Sequence, residues 1–339
     1  MPEIIPLSAA ETVEFRAALA AANMAAFWEN VERVEGPHGP EPAQLWRWEQ
    51  MEPLVTAAVR ATTIENADRR VLSLRKAATN APANSLTTNL VAALQILMPG
   101  EHAPPHRHTM GALRFVMEGD GADTIVDGKA CPMEPGDMII TPGWTWHEHV
   151  HHGTKRMVWF DGLDVPLHVH LGNIRFEPGP KHDVPPQLPD AAFLAAGLVP
   201  QNVGHAQSFS PLFRYPWTTA KAALAATPKA KDGSRLLRYT NPLTGGPAMD
   251  LIDCFLLGLE PGQATATTRS SASAVALVAE GSGTSAIGDK KFAWAKNSIF
   301  TIPLGNWTSH QADEPSTLFL MTDRDALARL GLLREDVRP

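Results

Sequence analysis

The chain has 339 residues, 44% hydrophobic and 19% charged, the balance of a globular protein with room for two domains, not of a disordered one. Its net charge of -7, from 36 acids and 29 bases, argues against a nucleic-acid partner, which wants a basic face. No apolar run nears the roughly 18 residues that span a bilayer, the opening MPEIIPLSAAET lacks the features of a signal peptide, and Cys131 and Cys254 alone make no disulfide framework, so a cytoplasmic protein without nucleic-acid or membrane partners is expected.

Along the chain, Ser8 with Glu11 three places on is a capping box, predicting a helix through the alanine-rich stretch to about Val34. A Pro/Gly break at 36–42 and a second helix near 50–61 complete a helical segment, residues 1–70. From Val71 the texture changes to short apolar runs punctuated by turns (LVAALQILMPGE, ALRFVMEGDG, TIVDGKACPMEPGD, MIITPGW). The 29 prolines and 25 glycines supply those turns, and strands at this spacing indicate an all-β sandwich or barrel over 71–175. A proline-rich linker, 176–235, holds a short helix near 218–226. The β texture resumes within 236–339, and a last helix near 325–333 ends the chain.

The two β regions read as copies of one unit. PGEHAPPHRHTMGALRFVMEGDG (99–121) aligns without gaps on PGQATATTRSSASAVALVAEGSG (261–283). After a one-residue deletion, PGDMIITPGWTWHEH (135–149) aligns on KNSIFTIPLGNWTSH (296–310). The shared positions are turn glycines, prolines and apolar residues, which are framework. His106, His108 and His147 face Thr268, Ser270 and Thr308 in the second copy. The copies therefore differ where a metal would need its ligands.

Strand side chains alternate, so His106 and His108 project together while Arg107 points away. His147, after the turn that follows MIITP, can return as a third ligand. Neutral imidazoles suit iron, zinc, copper or nickel. The plain alternative is a histidine-rich surface loop, His147 to His152, unrelated to the His-Arg-His strand; the ligand-free second copy speaks against it.

The spacing Gly100, His106, His108, Gly119 resembles the first cupin motif, and Gly136, Pro142, His147 the second. The glutamate usual four residues after the second histidine is here Ala112. HRHTMGALRFVMEG with PGDMIITPGWTWHEH is similar to the gentisate 1,2-dioxygenase family and its salicylate and hydroxynaphthoate relatives. The likeness continues through WRWEQMEPL (46–54), RRVLSL (69–74), PGE (99–101) and WFDGLDVPL (159–167). This resemblance implies a mainly β bicupin fold, two double-stranded β-helix barrels behind an N-terminal helical segment, usually in a homotetramer. It also implies Fe(II) held by His106, His108 and His147. The implied reaction inserts O2 between the carboxyl- and hydroxyl-bearing carbons of a 2-hydroxybenzoate: gentisate, or a substituted salicylate such as a nitro- or chlorosalicylate. Three neutral ligands leave the metal its full charge, so carboxylate and ring hydroxyl can both bind it.

The resemblance further implies site roles. Arg114 keeps the parity of His106 and His108 and is expected to bind substrate and assist catalysis; on an edge strand it would instead be a surface residue. Arg70 is expected to contact substrate, with Arg69 beside it as the alternative. His149 matches a histidine placed for hydrogen bonding or proton transfer, although the second copy retains His310 there, as a structural role would also require. Asp161 is expected at the catalytic site and Gln95 on the substrate side. His151 and His152 are expected to be solvated. Family members often carry tryptophan where this chain has Val91, which enlarges or reshapes the ring pocket. The alternatives are a 1-hydroxy-2-naphthoate dioxygenase, a zinc- or manganese-dependent isomerase or thiol dioxygenase on the same scaffold, and a non-catalytic metal-binding bicupin.

Overall fold

The computed structural model describes residues 6–29, 41–76, 85–180, 184, 186–195, 198–201 and 208–338. The chain divides into two units, Met1–Pro40 and Glu41–Pro339. In the first, a helix spans Ala9–Ala21, and the Ser8–Glu11 capping box is formed reciprocally. It shows no buried residue. The helix stops at Ala21, short of the expected end near Val34, where Asn23 takes a left-handed backbone (φ 54°) and turns the chain; the break at 36–40 lies outside the described residues.

The second unit opens with β1 (Leu45–Trp46) and a helix, Trp48–Ala61. Then come β2 (Arg70–Ser73), β3 (Val91–Leu97), β4 (His102–His108), β5 (Ala112–Glu118), β6 (Ala122–Val126), β7 (Lys129–Met133), β8 (Met138–Thr141), β9 (His147–His151) and β10 (Met157–Leu163). A helix, Val165–Leu171, leads to β11 (Phe176–Pro178) and β12 (Arg214–Tyr215), and the helix Trp217–Ala226 follows. The second half holds β13 (Arg235–Arg238), β14 (Asp253–Leu259), β15 (Thr268–Ser270), β16 (Ala274–Glu280), β17 (Ser282–Ile287), β18 (Lys290–Ala295), β19 (Ile299–Ile302), β20 (Thr308–Ala312) and β21 (Ser316–Thr322). The helix Arg324–Arg329 and β22 (Glu335–Val337) close the chain.

These strands build the same pair of sheets twice. The first barrel has the order β12-β8-β5-β10-β3-β2 against β11-β4-β9-β6-β7. The second has β1-β19-β16-β21-β14-β13 against β18-β17-β20-β15-β22. Even the irregularity recurs: the ladder skips Met117 between β5 and β10, and Ala279 between β16 and β21. The fold is a bicupin. Its edges come from segments whose sequence reads otherwise. The region expected as linker supplies β11 and β12 to the first barrel, while β1, from the region expected as helical, closes the six-stranded sheet of the second. Strands of two or three residues are too short to leave a periodic signal; a waiting sheet edge recruits them.

β5 shows why the two barrels share one unit. It is buried on both faces: Ala112, Arg114 and Val116 face the barrel interior, while Leu113 and Phe115 face the second barrel. Phe115 packs on Phe319 with ring centroids 4.5 Å apart, and Phe160 meets the same ring at 6.3 Å. Each buried ring contributes roughly 1.5–3 kcal/mol. At the same seam Gly162 leaves room for the Met321 side chain, which an added Cβ would have to displace.

Candidate metal centre

β4 and β9 are hydrogen-bonded neighbours, and their register sets His106 opposite His147. The ladder shifts between Ala103 and His106, where Pro104 and Pro105 lack the N–H a regular ladder needs. One ring nitrogen from each of His106, His108 and His147 lies within 4.8 Å of the other two, and no other such cluster of ligating side chains occurs among the described residues. Ring centroids are 4.1 Å apart for His106–His147, 4.9 Å for His108–His147 and 5.3 Å for His106–His108.

Backbone carbonyls orient two of the rings. His108 Nδ1 lies 2.8 Å from Met110 O, and His147 Nδ1 3.0 Å from Thr145 O. A carbonyl only accepts, so each Nδ1 carries the proton and each Nε2 keeps its lone pair. Burial, reinforced by nearby positive charge, keeps these imidazoles neutral: it lowers His106 to about 2, His108 to about 4 and His147 well below its ordinary value. Neutral imidazoles are the form that binds a metal. Ala112, buried at the place of the usual glutamate, adds no carboxylate to the three.

The facing sheet brings several expected residues onto the same interior. Arg114 pairs in register with Asp161, Asp161 with Ala93, Trp159 with Gln95, and Leu163 with both Val91 and Ala112. Arg114 is buried, donates from Nη1 to Thr141 Oγ1 at 2.9 Å, and holds Nε 3.6 Å from Asp161 Oδ1. Asp161 also accepts from Trp159 Nε1 at 3.0 Å. Burial raises its carboxyl to about 6 against the pull of Arg114. His149, wholly buried, hydrogen-bonds through Nδ1 to Thr124 Oγ1 at 2.9 Å. The second barrel repeats that bond between His310 and Ser285 at 2.7 Å, which makes it part of the duplicated framework.

Two expectations require correction. Arg70 is not brought to the cluster: it donates to Glu101 Oε1 at 2.8 Å and to Thr62 O at 2.9 Å. Its neighbour Arg69 takes that place, with Nη2 against His106 Nδ1 and 3.2 Å from Pro104 O. The signal was alternation. Arg70 shares parity with Leu72, while Arg69 shares it with Val71, which pairs with Gln95. His151, expected to be solvated, is buried; its Nε2 donates to Lys155 O at 2.7 Å and its Nδ1 accepts from Gly153 N–H.

Buried polar atoms in proteins almost always find partners. Around this cluster, His147 Nε2, His149 Nε2, Gln95 Nε2, Arg69 Nε and Arg114 Nε are buried with no hydrogen bond. The lone pair of His147 fits a metal ion; the Gln95 and Arg69 donors, with the charge of an Arg114 held through Nε by Asp161, fit an anionic, oxygen-bearing ligand beside it. The residues present thus suit one metal and one organic acid.

The comparison with known proteins agrees. The family model described as "Cupin domain" matches residues 93–166. Gentisate 1,2 dioxygenase 1 of Aquipseudomonas alcaligenes is 36% identical, covering 97% of this chain and 97% of its own. The chain belongs to the gentisate/salicylate 1,2-dioxygenase family. As a member of that family it is an oxidoreductase. A second relative, 5-aminosalicylate 1,2-dioxygenase of Comamonas sp, is 33% identical over 94% of this chain and 88% of its own. A crystal structure of salicylate 1,2-dioxygenase from Pseudoaminobacter salicylatoxidans, an adduct with gentisate, superposes with TM-score 0.90 at 27% identity. That match covers 100% of this chain and 97% of the other. The dioxygenase fold thus extends well beyond the 93–166 cupin match, through both barrels.

Proposed function

We propose that this protein is an Fe(II)-dependent ring-cleaving dioxygenase that inserts O2 between the carboxyl- and hydroxyl-bearing carbons of a 2-hydroxybenzoate. The observation that carries it is the pairing of three neutral imidazoles, free of any carboxylate, with unsatisfied buried donors from Arg69, Arg114 and Gln95. His106, His108 and His147 would hold the iron, which when bound supplies the redox link between an electron-rich ring and dioxygen.

The chain's own residues set the substrate. Arg114 and Arg69 present positive charge to the carboxylate from buried surroundings, where a charge-assisted hydrogen bond is strong. Gln95 Nε2 can donate to a ring oxygen. Asp161 steadies Arg114. His149 has its Nδ1 tied to Thr124, whose hydroxyl lies 3.2 Å from Met133 Sδ. Thr124 Oγ1 donates to that sulfur, so His149 Nδ1 donates to Thr124 and Nε2 can accept a phenolic proton. Val91, half-buried at the head of β3, is smaller than the tryptophan common in the family, which favours a substrate with a 5-substituent or a fused ring. The family resemblance supports a homotetramer. The cytoplasm is proposed from the acidic, disulfide-poor sequence; no described helix is long and apolar enough to cross a membrane.

Oxygen uptake with ferrous iron supplied tests this reading, using gentisate, salicylate, 5-substituted salicylates and 1-hydroxy-2-naphthoate. Stoichiometric oxygen consumption with ring opening of at least one is expected. Uptake with none of them, by protein shown to hold iron, would end the proposal.

A further inference from the structure

The second barrel, which lacks the three histidines, contains a cavity of about 630 Å³, within the ordinary range for small-molecule pockets. Thr268, Ser270 and Thr308 line it, and these are the repeat counterparts of the three clustered histidines. Thr268 pairs with Thr308 as His106 pairs with His147. Where the first barrel gathers three imidazoles, the second has shorter hydroxyl side chains bordering open volume. Its walls are apolar, from Leu236, Phe255, Leu257, Ile302 and Leu320.

One polar group stands out in that lining. His310 is about nine-tenths buried and borders the cavity. Its tautomer follows from its partners. Trp294 Nε1 donates to Ser285 Oγ at 2.8 Å, and Ser285 Oγ lies 2.7 Å from His310 Nδ1. The serine proton is best used on Nδ1, so the ring proton sits on Nε2. No hydrogen bond to Nε2 occurs among the described residues. In the first barrel, where Met133 replaces the tryptophan, the same chain runs the other way and leaves Nε2 of His149 an acceptor. The retained histidine therefore presents a donor at the cavity wall where its twin offers a lone pair.

Charge narrows the ligand. The arginines of the lining, Arg269 and Arg324, are paired with Asp336 at 2.6 Å and Glu335 at 2.7 Å. Asp232 adds a further carboxylate, bonded to Ser234 and the Ala266 N–H. Burial keeps His310 neutral, lowering it to about 4. Among the described residues of the lining, no free cation would balance an acid of the kind proposed for the first barrel. We infer that the second barrel is a separate binding site for an uncharged aromatic molecule whose oxygen or nitrogen accepts the Nε2–H of His310.

The test titrates the full-length, iron-loaded protein with 2-naphthol, and with 2-naphthoate as the charged counterpart, by calorimetry. Thr308→Phe fills the cavity and is expected to weaken the second-barrel 2-naphthol event about tenfold while ring-cleavage kinetics stay unchanged. In the native protein, 15N-histidine NMR reads the site directly: 2-naphthol should move the His310 Nε2–H signal and 2-naphthoate should not. That measurement decides alone if the variant fails to fold. Superimposable 2-naphthol isotherms for native and variant, an unmoved His310 signal, or equal response to naphthoate would overturn the inference. A protein without oxygenase activity whose His310 signal still responds would refute the proposed reaction and leave this site standing.

Discussion

Arg114 and Asp161 face each other across β5 and β10, with Nε 3.6 Å from Oδ1 and both side chains buried. Burial lifts the Asp161 carboxyl from its ordinary 3.8 to about 6. A carboxyl raised on folding stabilises the fold fully below its ordinary value, and that contribution is lost as pH rises towards 6. Ionisation at the upper end places a negative charge beside Arg114, where it fixes the guanidinium for substrate. The rate kcat/KM should therefore rise with pH through an acid limb near 6. Asp161→Asn should flatten that limb and lower the plateau about tenfold; an unaltered limb would assign it to another group.

Arg69 and Arg70 are neighbours in the chain with opposite duties, and substitution should separate them. Arg70→Gln strips Glu101 of its partner in a largely buried ion pair, and should cost about 2 kcal/mol of stability, read as a lower Tm. Arg69→Gln should leave Tm nearly unchanged and raise KM for the aromatic acid about tenfold. Reversed outcomes would restore Arg70 to the substrate.

His106→Ala removes one of three imidazoles. Two ligands hold the ion poorly, so metal content by elemental analysis and oxygen uptake should fall together to near background. Full iron occupancy with retained activity would exclude His106 as a ligand.

Val91→Trp adds an indole at the head of β3, in register with Leu163 and, beyond it, Ala112. Relative kcat/KM should shift by about tenfold towards less substituted 2-hydroxybenzoates, with metal content constant. An identical substrate ranking would place Val91 outside the pocket.

Much of the site is legible in the chain because it is local. His106 and His108 share a face by the two-residue period of a strand, and Ala112 and Arg114 continue it. The duplicated framework shows which residues are special, since only the first copy carries the three histidines. Less legible are features made by contact between distant segments. Thr124 looks like any strand threonine until His149 lies beside it in the register. His151 reads as solvated because its burial depends on the Lys155 carbonyl folding over it. Arg69 and Arg70 are indistinguishable by type and differ only in which side of β2 each leaves.

The amino-acid order alone determines two β units of common descent, one armed with imidazoles and one without, because periodicity and motif spacing are properties of neighbouring residues. Tertiary structure alone decides which short segments complete each barrel, with β1, β11 and β12 drawn to sheet edges far along the chain. It also decides which arginine reaches the histidines and that the unarmed barrel holds an open cavity. Those outcomes depend on strand register and on packing between sheets, which couple residues that a linear reading keeps apart.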